Sequence, residues 1–104
     1  MIIQFNTDNN ISGSEKLNDY FSSTLSDSLS RFSNQITRLE VHLTDENSNK
    51  DGQNDKRCVL EARLEGLQPI AVTNNGDTIE QAVKGATDKL KSSLDTVIGR
   101  MRNH

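Results

Sequence analysis

At 104 residues with 32% apolar side chains, the chain has the size of one domain whose core must be lean and well placed, and its single cysteine excludes an internal disulfide. Twelve Lys and Arg against fifteen Asp and Glu give a net charge of −3, which argues against non-specific coating of nucleic acid but leaves room for a local basic patch. No stretch approaches the about 18 apolar residues of a membrane helix, and Met1-Ile2-Ile3-Gln4-Phe5 lacks the basic and apolar regions of a signal peptide, so a reducing, cytoplasmic setting is expected.

The chain opens on a short apolar run, Ile2 to Asn6, with Ile3 and Phe5 on one face, which predicts a strand ending in the turn formers Thr7-Asp8-Asn9-Asn10. Ser12 or Ser14 is placed to cap a helix, with Glu15 in its first turn. Leu17, Phe21, Leu25, Leu29 and Phe32 then recur every three or four residues, beside Tyr20, as a helical stripe of about 20 residues. The opposite face is rich in Ser and Asn.

After Asn34 the period changes to two. Leu39, Val41 and Leu43 alternate with Arg38, Glu40, His42 and Thr44, the mark of a half-buried strand. The segment from Asp45 to Asp55 has no apolar residue and predicts a long hairpin loop. Cys58, Leu60, Ala62 and Leu64 resume the alternation in a third strand, and Gly66-Leu67-Gln68 makes a tight connection. Ile70 to Thr73 predicts a short fourth strand, with Pro69 pointing to a sheet edge. Asn74-Asn75-Gly76 predicts a turn, and Asp77 or Thr78 caps a second long helix with Ile79, Ala82, Val83, Ala86, Leu90, Leu94, Val97, Ile98 and Met101 on one face. Within that helix, Gly85 beside Ala82 and Ala86 suggests a close approach to a neighbouring element.

The whole reads as an α+β fold of order β-α-β-β-β-α in one domain spanning residues 1–104, a four-stranded sheet with two helices packed on one face and the other face open to water.

Catalysis finds little support. His42 sits at a polar strand position, where only Glu40 or Arg38 could orient it, and His104 is terminal. Cys58 falls on the inward set of its strand, although Lys56 and Arg57 precede it. No CxxC or HxxxH spacing occurs, and the acids Asp45, Glu46, Asp51 and Asp55 lack the ligand register of a calcium loop. A non-enzyme without cofactor, metal or small-molecule substrate is expected. Binding is better supported. Lys84, Lys91 and Arg102 fall near each other in helical projection and, with Lys16 and Arg31 of the first helix, would line a groove with donors suited to phosphate oxygens. The competing reading is a solvated helix face with intrahelical pairs such as Lys84–Asp88, Lys91–Asp95 or Asp95–Arg100.

The order of elements, the passage Phe32…Ile36…Leu39-Glu40-Val41-His42-Leu43 and the stretch from Asp77 to Leu90, with Asp77, Ala82-Val83 and Asp88-Lys89-Leu90, resemble the ribosome hibernation-promoting factor and ribosome-associated inhibitor family. That resemblance runs nearly end to end. It implies a fold like the double-stranded-RNA-binding domain and a cytoplasmic stress factor, a monomer off the ribosome. Such a factor binds the small ribosomal subunit through ribosomal RNA at the decoding region and inhibits translation. It assigns RNA contacts to Lys89, Lys91, Arg100 and Arg102 of the second helix, and to Lys16 and Arg31 of the first. Because the chain ends after the second helix, it looks like the short form. The chain departs from the pattern at Lys84, where an acid is usual, and in its Ser- and Asn-rich first helix. A diverged protein–protein module that has lost ribosome binding is therefore the alternative, with the open sheet face (Arg38, Glu40, His42, Glu61, Arg63) or the edge near Pro69 as its interface.

Overall fold

The computed structural model describes residues 1–8, 14–46 and 55–102, with backbone alone at Ser14, Met101 and Arg102. The expected Ser12 cap, the Asn9-Asn10 turn, the body of the long hairpin loop and His104 lie outside the described residues. In chain order the elements are β1 (Ile2–Thr7), α1 (Ser14–Ser28), a 3-10 turn (Ser30–Phe32), β2 (Ile36–Asp45), β3 (Lys56–Leu64), β4 (Ile70–Gly76) and α2 (Ile79–Arg102). The strands form one sheet in the order β1-β2-β3-β4, so β1 and β4 are its edges. β1 runs parallel to β2, as the intervening helix requires, and the two hairpins make the other pairings antiparallel.

Period-two alternation decides which side chains meet the helices. Leu39, Val41 and Leu43 of β2 and Cys58, Leu60 and Ala62 of β3 are almost wholly buried, together with Leu25 and Leu29 from the first helical region and Ala82, Ala86, Leu90 and Leu94 from α2. One continuous cluster of these residues, with Phe21, Phe32 and Ile98 at its margins, forms the core. Truncating Leu60 or Leu90 to Ala would cost about 2–5 kcal/mol. α2 packs over β3 and β4, while α1 approaches β1.

Two elements differ from their sequence expectations. The stripe from Leu17 to Phe32 is not one helix: α1 stops at Ser28, and Phe32 reaches the core from the 3-10 turn, whose amide donates to the Leu29 carbonyl at 2.9 Å. The fourth strand is longer than expected. Asn74, Asn75 and Gly76 are not a turn but continue β4, because Cys58, Arg57 and Lys56 lie directly opposite and supply the ladder. The turn chemistry of Asn-Asn-Gly loses here to three further pairings. Thr78, by contrast, caps α2 as expected: its Oγ1 accepts the Gln81 amide at 3.1 Å, and Gln81 reciprocates by accepting the Asp77 amide on Oε1 at 3.1 Å. Gly66 sits at φ 73, the left-handed conformation that the β3–β4 turn needs.

A register shift between Ile36 and Arg38 lets both Ile36 and Leu39 point inward, three residues apart, on a strand that otherwise alternates. Thr37, the residue inside the bulge, donates its hydroxyl to the Arg63 carbonyl at 3.1 Å.

Candidate functional site

Where α1 and α2 pass each other they leave a furrow of about 320 Å³. Helical spacing builds it. Tyr20, Thr24 and Ser28 project from successive turns of α1, and Glu80, Lys84, Asp88 and Lys91 do the same from α2. The floor is apolar, formed by buried Phe21 and Val83. Thr87 joins that floor with its polarity spent locally, its hydroxyl donating to the Val83 carbonyl at 2.7 Å.

Tyr20 forms one wall. It is 55% exposed, yet fixed at two points. Its ring meets Phe21 edge-to-face with centroids 4.9 Å apart, and its hydroxyl donates to Glu80 Oε1 at 3.3 Å.

Of the seven cations proposed from sequence, the six whose side chains are described do not converge. Lys84 and Lys91 line the furrow. Lys89 leaves it, turning toward the sheet edge, where its ammonium donates to the Thr73 carbonyl at 2.8 Å. Arg31 pairs with Asp95 at 2.9 Å, and its guanidinium lies 4.4 Å from the Phe32 ring centroid. With Gln35, Ile98 and Gly99 this pair borders a second hollow of about 330 Å³. Lys16 and Arg100 are exposed on their helices, away from the lining of the furrow, and the Arg102 side chain lies outside the described residues. Asp95 thus bonds across the two helical regions and not to Lys91 or Arg100. Tyr20 and Glu80 were not singled out from sequence. The signal for Tyr20 was present as an aromatic residue one position off the apolar stripe.

On the open sheet face Arg63 bridges Glu40 at 3.3 Å and Glu61 at 3.2 Å, so Glu40 is committed to Arg63. His42 stands beside Asn6 and opposite Val59 in the strand register. Cys58 is fully buried, and burial pushes its thiol up to about 12, a poor nucleophile at neutral pH. Lys56 does not activate it: its ammonium bridges Asp55 at 3.0 Å and Asp45 at 3.4 Å. Arg57 is likewise drawn to Glu46 at 3.2 Å. Among the described residues no group of His, Cys, Asp and Glu is placed to hold a metal, and no helix is long and apolar enough to cross a membrane.

A four-stranded mixed sheet with two helices on one face, in β-α-β-β-β-α order, is the fold of the ribosomal protein Y class. The N-terminal domain of Protein Y from Thermus thermophilus superposes with a TM-score of 0.72 at 18% identity, covering 93% of this chain and 99% of that one. A ribosomal subunit interface protein from Coxiella burnetii superposes with a TM-score of 0.69 at 18% identity, covering 95% and 99%. No curated protein matches the sequence significantly. The family described as Sigma 54 modulation protein / S30EA ribosomal protein matches residues 3–102, and the chain belongs to that family.

Proposed function

We propose that this protein is a cytoplasmic ribosome-associated factor that acts as a single domain, binds the small ribosomal subunit through ribosomal RNA at the decoding region, and holds translation off without catalysis. Membership of a family named for a ribosomal protein supports the ribosome as partner. The observation that carries the reading at the level of residues is the α1–α2 furrow with Lys84 and Lys91 along it. Seven residues apart on one helix, these ammonium groups are rooted about 10 Å apart along the axis, and both suit phosphate oxygens. Of the other cations, Lys16 and Arg100 are exposed and available for further contacts, whereas Arg31 would first have to leave Asp95. With a net charge of −3 the expected footprint is small, a few phosphates and not a broad electrostatic sheath.

Co-sedimentation with purified small subunits across a salt series tests this. Pelleting that weakens steeply with salt supports the reading. No pelleting at low salt sinks it.

A second reading is favoured by the charge mosaic of the furrow and by the open sheet face, where Arg38 lies opposite Arg63 and Ile2 is 62% exposed. It makes the chain a protein–protein module on the same scaffold. A protein partner retained after nuclease treatment would support it, and recovery of ribosomal RNA alone would count against it.

A further inference from the structure

We propose that the α1–α2 furrow takes one unpaired nucleotide of a single-stranded RNA, its base stacked on Tyr20 and its flanking phosphates on Lys84 and Lys91. This rests on the reading of the chain as an RNA-contacting protein and names the form of RNA that the furrow accepts.

Three features point the same way. Tyr20 is a large aromatic left 55% exposed while lining the furrow. Its ring is held by Phe21 and by the hydroxyl contact to Glu80, so a base meets a platform whose orientation is already set, and little further ordering is required on binding. The furrow, at about 320 Å³, is at the lower end of small-molecule clefts, with room for one base and its sugar.

Charge arrangement selects the single strand over a duplex. A duplex presents a continuous phosphate track and favours a continuous positive stripe. Here the lysines are interleaved with carboxylates: Glu80 precedes Lys84, and Asp88 stands between Lys84 and Lys91. Two separated ammonium groups match the phosphates on either side of one extruded nucleotide. A carboxylate between them accepts a hydrogen bond from an exocyclic amino group, as carboxylates accept from the cytosine amine in base readout. Bases carrying that amine, adenine among them, fit the furrow better than uracil.

The chain holds one tyrosine and no tryptophan, so its intrinsic emission reports on Tyr20 alone. The probe is an eight-nucleotide oligoadenylate titrated at low salt, with oligouridylate of the same length and an RNA duplex as comparisons. Saturable quenching by oligoadenylate is expected, weaker with oligouridylate and absent with the duplex. Using a dye-labelled oligoadenylate and anisotropy, Tyr20→Leu is expected to weaken binding about tenfold while Tyr20→Phe, which keeps the ring, stays within about twofold of wild type. Circular dichroism of Tyr20→Leu checks that its fold is retained. Unchanged tyrosine emission at saturating oligoadenylate, equal quenching by the duplex, or wild-type affinity in Tyr20→Leu overturns the proposal. Small-subunit pelleting separates the two ideas. Pelleting without quenching leaves the ribosome reading standing and removes the stacking site, whereas quenching without pelleting does the reverse.

Discussion

Asn74 on β4 fills the space over Gly85 on α2. Its amide donates to the carbonyls of Gln81 and Ala82, at 3.3 Å each, and a Cβ built at residue 85 would overlap it. Strand and helix are thereby stitched by a side chain that fits only because residue 85 has none.

The first prediction follows from that fit. By helix propensity Gly85→Ala should stabilise α2 by up to about 1 kcal/mol. Moving the Asn74 side chain aside forfeits its two bonds to the α2 carbonyls, about 0.5–1.5 kcal/mol each, and a net loss of up to about 2 kcal/mol is expected in urea denaturation. Gly99→Ala, where nothing lies within 4 Å of the added methyl, is expected to gain stability instead. Introducing Gly85→Ala into an Asn74→Ala background should recover most of the loss, and strictly additive effects would contradict the stitch.

The second concerns alkaline pH. Burial pushes the Cys58 thiol up to about 12 from 9.0, so the folded state keeps a proton that the unfolded chain releases. Stability is complete below pH 9.0 on this account and falls as pH rises toward about 12. Lys56 adds to the same trend, because its hydrogen bond to Asp55, helped by Asp45, holds the ammonium above its usual 10.5. Its contribution is present below that value and is lost as pH rises through the higher folded value. The urea midpoint should hold steady from pH 7 to about 9 and then decline, and a Cys58→Ala variant should decline later. Native protein should resist thiol reagents at pH 8 and react fully once unfolded.

A third prediction separates the cations. Replacing Lys84 and Lys91 together by Ala should lower the salt slope of small-subunit binding by about 1–2 units, one phosphate contact per lysine. Lys89→Ala is expected to change that slope less, since its ammonium is bonded to the Thr73 carbonyl. A larger effect from Lys89 than from Lys84 and Lys91 together would place the RNA over the β4 edge and not in the furrow. Arg31→Ala should alter stability by no more than about 1 kcal/mol, because the Arg31–Asp95 pair is largely exposed.

The fourth tests the start of α2. Thr78→Ala removes the acceptor for the Gln81 amide and should cost about 1 kcal/mol in thermal or urea unfolding. Thr78→Ser, which keeps the oxygen, should cost far less.

Element order and the buried face were legible in the sequence because alternation in β2 and β3 and the stripe in α2 are strong local signals. The end of β4 was not, since Asn74-Asn75-Gly76 has turn chemistry and only its pairing with residues 56–58 makes it strand. Nor was the break after Ser28, because a 3-10 turn carries Phe32 to the core at the same spacing as a longer helix would. The basic residues were legible as a set on two helices, but their grouping was not. Projection on one helix cannot say that Lys89 turns to a strand edge or that Asp95 reaches Arg31, a partner 64 positions away. Tyr20 acquires its place only when α2 lies against α1.

The bond from Lys89 to the Thr73 carbonyl also bears on how this protein behaves in a crowd. β4 is an edge strand, and an edge strand is a template on which another chain can add. The ammonium occupies one of its acceptors and puts a charge where an incoming backbone would have to lie. Lys89→Ala is therefore expected to self-associate in light scattering at concentrations where the wild type stays dispersed. Drawn out of the furrow and onto the last strand, the ammonium leaves the sheet a charged margin, a device that disfavours the joining of one sheet to another.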